Sequence, residues 1–203
     1  MGRSRRYIAG VSVALAALLA QPAAARHAGD QPFLPLGTIA AAPNGFVDLC
    51  QNAREPALCG SGRPAPGASL TARDDEAARL LRRINARVNA RVHQQSDQLT
   101  AGVPEKWQRS GAGNDSAGDC EDIAIEKRLT LIAEGFPPDA LAFAVVYSRD
   151  TGLHTVLVAR TAGGDVVLDN RTPYIFGWSQ VGYSWVSIQV MGDPMTWRSL
   201  ARA

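Results

Sequence analysis

Gly135 and the Pro137–Pro138 pair divide this chain into two regimes of hydrophobic spacing. Before them apolar residues recur every three or four positions; after them they fall in short β-rich runs parted by turn residues. Glycine suits a helix C-terminus and proline forbids continuation, so the boundary is a hard stop. Upstream, Ala77, Leu80, Leu81, Ile84, Val88 and Val92 form the stripe of an amphipathic helix, with Arg79, Arg82, Arg83, Arg87 and Arg91 opposite and Asp74, Asp75 and Glu76 at its positive end. The arginine face reads as solvated, with an anionic partner as the alternative. A second helix runs from "GDCED" to Gly135, its apolar side Ile123, Ile125, Leu129, Leu131 and Ile132. Downstream, "LAFAVVYS", "HTVLVAR", "DVVLDN" and "YSWVSIQV" read as an antiparallel meander. A nucleophile-bearing helix packed on an antiparallel sheet makes an α+β fold.

The first 25 residues stand apart. Arg3, Arg5 and Arg6 precede an apolar run from Ile8 to Ala20 and the small residues Ala23, Ala24 and Ala25, the pattern of a secretory signal peptide. A run this short does not cross a hydrocarbon core of roughly 30 Å as a helix, and no other segment is apolar enough to try. The reading is export to the periplasm, by the general or, from "SRRYI", the twin-arginine route. Removing the three leader arginines takes the formal charge from +2 to −1, which gives no reason to expect nucleic acid. Residues 26–70, rich in Pro, Gly and Ala, read as an extended N-terminal segment, and 71–203 as one domain.

Three cysteines remain to be placed. Cys50 and Cys59 stand close enough in sequence to form a local disulfide in an oxidising compartment; two free thiols are the alternative. Cys120 is then left over, at the first turn of the second helix, where backbone N–H groups and the helix dipole favour thiolate. The flanking Asp119, Glu121 and Asp122 oppose a second negative charge, so the stretch calls for a cation. Among the histidines, His27 follows the leader and His93 ends the amphipathic helix, whereas His154 begins a strand whose hairpin partner ends at Asp169. With a pairing sum of 323 the two stand directly opposite on one face; a one-residue slip separates them. Cys120, His154 and Asp169 then supply the nucleophile, base and orienting carboxylate of thiol acyl transfer, with the Cys120 backbone N–H as a donor to the oxyanion. Taken singly, each is a common structural residue.

"GDCED", "RLTLIAEGFPPDAL", "LHTVLVARTAGGDVVLDN" and "DPMTW", together with the Cys50/Cys59 pair and "INARVNARV", resemble the bacterial transglutaminase-like cysteine proteinases, the group that includes LapG-type periplasmic proteases clipping surface adhesins. The resemblance implies a papain-like or transglutaminase-like core and an exported endopeptidase acting on a periplasmic or surface protein. It implies Ca²⁺ near the nucleophile on Asp119 and Glu121, with Asp122 contributing, and it suggests the Trp107 indole as a second oxyanion donor. An inner-membrane regulatory protein is a partner known in part of the family. The rivals are amine transfer from the same acyl-enzyme and a non-catalytic module that binds calcium or a partner.

Overall fold

The computed structural model describes residues 32–52, 56–60, 74–111, 113 and 116–201; the leader and His27 lie outside them. Their elements run β1 (Leu36–Ala40), α1 (Asn44–Gln51), α2 (Pro56–Cys59), α3 (Asp74–Arg91), β2 (His93–Gln94), α4 (Asp97–Thr100), β3 (Ala117–Gly118), α5 (Cys120–Ala133), β4 (Leu141–Ser148), β5 (Gly152–Thr161), β6 (Gly164–Leu168), β7 (Ile175–Gly177), β8 (Ser184–Val190) and β9 (Asp193–Leu200). Seven strands form one antiparallel sheet in the order β1-β9-β8-β4-β5-β6-β7, and β2 pairs with β3 in parallel. The strands after α5 are therefore not a simple meander. The chain runs outward through β5, β6 and β7, then returns to lay β8 along the other side of β4.

The helices cover one face of the sheet. Phe46, Leu81, Ile84, Val88, Ile123, Leu131, Phe143, Leu157, Leu168 and Trp197 share that core, while Leu34, Ala144, Val156, Val158, Val167 and Trp178 fill a second cluster. Alternating strand residues divide between the two, as the period of two requires. Helix α5 is buried on nearly every side, charged residues included. It closes where the sequence demands: Gly135, at φ +88°, donates to the Ile132 carbonyl, and the Phe136 N–H reaches back to Leu131. Arg128 locks it to the sheet, donating to the Leu141 carbonyl at 2.8 Å and to Gln189 Oε1 at 3.3 Å. That same oxygen accepts the Phe143 N–H at 2.9 Å, and Gln189 Nε2 donates to the Pro194 carbonyl.

The N-terminal stretch read as extended departs from that description from Leu36 on. β1 is an edge strand of the main sheet, α1 sends Phe46 into the core, and the Cys50–Cys59 disulfide ties α1 to α2. Phe46 meets Trp107, Phe143 and Trp197 edge-on, with ring centroids 5.4, 6.2 and 5.6 Å away. Such pairs add to what burial alone contributes. The polar, Gly-rich "SGAGNDSAG" stretch has fixed points: Ser116 and Gly118 are buried, and Ser116 Oγ donates to Gly111 and Gly113 carbonyls.

The N-terminal helix thus shares one core with the sheet, and Phe46→Ala should lower the unfolding free energy by about 3–5 kcal/mol. Urea denaturation measures it; a loss below about 1 kcal/mol would mark α1 as an appendage.

Candidate active site

Cys120 is the first residue of α5, with Asp119 as the residue before it in extended backbone. Its sulfur meets β5 because β6 is short. The β5–β6 ladder ends at Leu157↔Leu168, and past that point the Thr155 N–H donates to Cys120 Sγ at 3.4 Å. The thiol itself donates to Glu121 Oε2 at 3.0 Å. Burial first, and then the Glu121 charge, push the Cys120 thiol up, against the helix-end effect expected from position alone. Of the three cysteines it alone is free.

His154 Nε2 lies 2.9 Å from Asp169 Oδ1, with both residues buried. The hairpin reaches this contact by a register other than the expected one. Its pairs sum to 325, as in Val158↔Val167, and its turn is Ala162–Gly163. In this register Asp169 follows the last paired residue and lies diagonally from His154. A shift of two preserves the face, so the contact survives where a shift of one would abolish it. The reason for the shift is Gly164, at φ +131°: a Cβ there would stand 2.4 Å from the Pro32 carbonyl oxygen. Asp165 N–H bonds that same oxygen at 2.8 Å. Gly164 therefore belongs to the strand beside the 32–34 segment, and the turn moves one residue along.

The turn after β6 is held from α3. Asn89 Nδ2 donates to the Asp169 and Thr172 carbonyls at 2.8 and 2.9 Å, and Asn85 reaches Thr172 as well. The Asp169 carboxylate also accepts the Arg171 N–H at 3.0 Å and the Tyr183 hydroxyl at 2.5 Å. Burial alone would raise its pKa, but hydrogen bonds from His154, Tyr183 and Arg171 outweigh it and hold the group down at about 2. Lys127, on α5 and buried, is pushed down to about 7 by desolvation, with the Asp169 charge opposing.

Cys120, Glu121, His154 and Thr155 share a cleft of about 360 Å³ with Ala41–Asn44, Glu105, Trp107, Val145, Leu153 and Ser187. Trp107 is buried in its wall and its indole N–H donates to Glu105 at 3.3 Å. Of the acids expected around a cation, Asp119 and Glu121 come together with Asp97, ligand oxygens lying within 4.8 Å of one another. Asp97 Oδ1 and Asp119 Oδ1 are buried without hydrogen-bond partners, and all the donors are hard oxygens, so the cluster fits a cation such as Ca²⁺. Asp122 is not part of that group: its Oδ1 accepts the Gln108 N–H at 2.9 Å, its Oδ2 is buried without a partner, and its side chain packs on Gly118. Desolvation drives Asp119 and Asp122 each up to about 8, with neighbouring carboxylates adding to it.

Sequence reading missed Asp97, Tyr183 and the Thr155 N–H. Asp97 reaches the site through the parallel pairs His93↔Ala117 and Gln94↔Gly118, strands too short to show a period. Tyr183 sits just ahead of β8 and was visible only as one aromatic in a β-rich run.

Residues 36–203 match the family model for the bacterial transglutaminase-like cysteine proteinase BTLCP. No curated protein sequence matches. Three solved structures of Legionella pneumophila LapG are similar. The calcium-bound form is 25% identical, with a TM-score of 0.47, covering 55% of this chain and 64% of that one. A second LapG structure is 23% identical at a TM-score of 0.46, covering 70% and 78%, and the EGTA-treated form is 23% identical at 0.47, covering 73% and 83%.

A carboxyl whose folded pKa is depressed contributes stability present above its unfolded value near 3.8 and lost as pH falls through about 2. Asp169→Asn should therefore flatten the acid limb of the stability curve between those values, by about 1–2 kcal/mol. Urea midpoints across that range measure it; an unchanged slope would mean that the His154 and Tyr183 bonds do not stabilise the ionised form.

Proposed function

Because the chain belongs to the bacterial transglutaminase-like cysteine proteinase family, we propose that it is an exported cysteine endopeptidase that hydrolyses peptide bonds of a periplasmic or surface protein of the adhesin type. The observation that carries this reading is one cleft lined by a helix-terminal thiol and by an imidazole bound to a buried carboxylate. In this reading residues 1–25 direct export and are removed.

Cys120 Sγ attacks the scissile carbonyl carbon, and its proton passes to His154 Nδ1, the ring nitrogen not engaged by Asp169. Asp169 holds the proton on Nε2 and stabilises the imidazolium. As the C–N bond breaks, the imidazolium returns the proton to the departing amine and leaves a thioester on Cys120. Water, deprotonated by the same nitrogen, attacks that thioester and releases the thiolate. The Cys120 backbone N–H, at the helix N-terminus, donates to the oxyanion, and the Trp107 indole N–H becomes the second donor by exchanging its bond to Glu105 for one to the oxyanion. Asp97, Asp119 and Glu121 would hold Ca²⁺, which when bound would supply positive charge among the acids beside the thiol.

With Ca²⁺ bound among the acids, iodoacetamide should modify Cys120 faster at neutral pH than without it, and His154→Ala should slow the reaction by about tenfold or more. Mass spectrometry of a protein substrate should then find a cut chain. Joined chains would transfer the reading to amine transfer, and a rate equal to an ordinary thiol in both proteins would leave a non-catalytic module. Ca²⁺ at a hundred times its Kd should add about 2.7 kcal/mol to the unfolding free energy, and Asp97→Asn should remove most of that gain. Full stabilisation in Asp97→Asn would place the ion elsewhere.

A further inference from the structure

We propose that Tyr183 is a positioning residue for the base, fixing the Asp169 carboxylate so that one oxygen stays on the His154 ring. The inference rests on the reading of His154 and Asp169 as base and orienting group. Asp169 lies beyond the last pair of the β5–β6 ladder, so no strand bond holds its side chain. Oxygen Oδ1 takes both the His154 ring and the Arg171 N–H, whereas Oδ2 takes the Tyr183 hydroxyl at 2.5 Å. An O–H donor on an ionised carboxylate makes one of the stronger hydrogen bonds. Without it, Oδ2 loses its donor and only the Arg171 N–H and the ring itself resist rotation of the carboxylate.

A purely structural tyrosine would have no reason to touch both members of the pair. This one does: its ring lies 5.8 Å from the imidazole, centroid to centroid, at 55°. Burial and the Asp169 charge hold the phenol up at about 12, so it stays a donor at neutral pH. Phenylalanine in its place keeps the ring contact and removes the hydroxyl, with its bond to Asp169 and its contact with the Arg171 side chain.

The test reads the His154 Nε2-bound proton by ¹⁵N-edited NMR in the wild type and in Tyr183→Phe. Alongside, it follows iodoacetamide modification of Cys120 at neutral pH in Tyr183→Phe, Asp169→Asn and the double variant. In the wild type the proton should resonate downfield, and in Tyr183→Phe it should move upfield or broaden. Alkylation should fall about three- to tenfold in Tyr183→Phe and little further when that change is added to Asp169→Asn. An unchanged proton signal, or losses that multiply in the double variant, would overturn the proposal. Should Tyr183→Phe melt far below the wild type, absorbance titration replaces it: the Tyr183 phenol should ionise at lower pH in Asp169→Asn, and no change would overturn the proposal equally. If His154→Ala and Asp169→Asn both alkylate at the wild-type rate, the catalytic reading itself fails and takes this inference with it, a result separate from any seen in Tyr183→Phe alone.

Discussion

The guanidinium of Arg128, buried between α5 and the sheet, meets the Leu141 carbonyl, the Gln189 amide and the face of Phe143, 5.1 Å from its centroid. Desolvation draws its pKa down to about 10, which still leaves it charged at neutral pH. A buried charge is tolerated only with good hydrogen-bond geometry, so these contacts permit few relative positions of helix and sheet. Gln189 extends the constraint to β4 and β9 through the Phe143 N–H and the Pro194 carbonyl. Everything functional follows from that docking. Cys120 is two turns from Arg128 on the same helix, and a slide of one residue along the axis, about 1.5 Å, would take its sulfur off the Thr155 N–H.

The site also shows why acidic residues crowd a thiol. Asp97 on α4 is set close to Asp119 and Glu121 at the start of α5, and burial first, then the Glu121 charge, push the Cys120 thiol up while Glu121 accepts from the sulfur. A helix N-terminus favours thiolate in isolation, but burial of the sulfur and then the Glu121 charge outweigh the dipole of one helix end, about half a charge. Local position in the sequence therefore predicts the wrong sign for the thiol unless the whole cluster is counted.

Legibility followed the strength of the local pattern. Helix α3 carries a consistent apolar stripe and strand β4 an almost unbroken apolar run, and their spans are plain in the residues. The shared face of His154 and Asp169 was legible too, because parity depends only on an even turn. The register was not, since it depends on the Pro32 carbonyl crowding Gly164 from the far end of the chain. Strand β1, "LGTIA", and helix α1, "NGFVDLCQ", are short, and their burial is decided by partners such as Trp107 and Trp197. Strand β9 contains Pro194, which masks its alternation although an antiparallel neighbour lies on each side. Asp97 and Tyr183 reach the site only through tertiary pairing.

The disulfide between α1 and α2 has a consequence for the order of events while the chain is still unfolded. Cys50 and Cys59 are nine residues apart, whereas Cys120 lies 61 beyond Cys59. Loop-closure entropy then favours the short pairing by about 1.7 kcal/mol, an order of magnitude in encounter probability. An unfolded chain meeting an oxidant closes the near pair first and consumes both rivals for the remaining thiol. The staple thus acts as a protecting group, set before Cys120 has a folded site in which to hide.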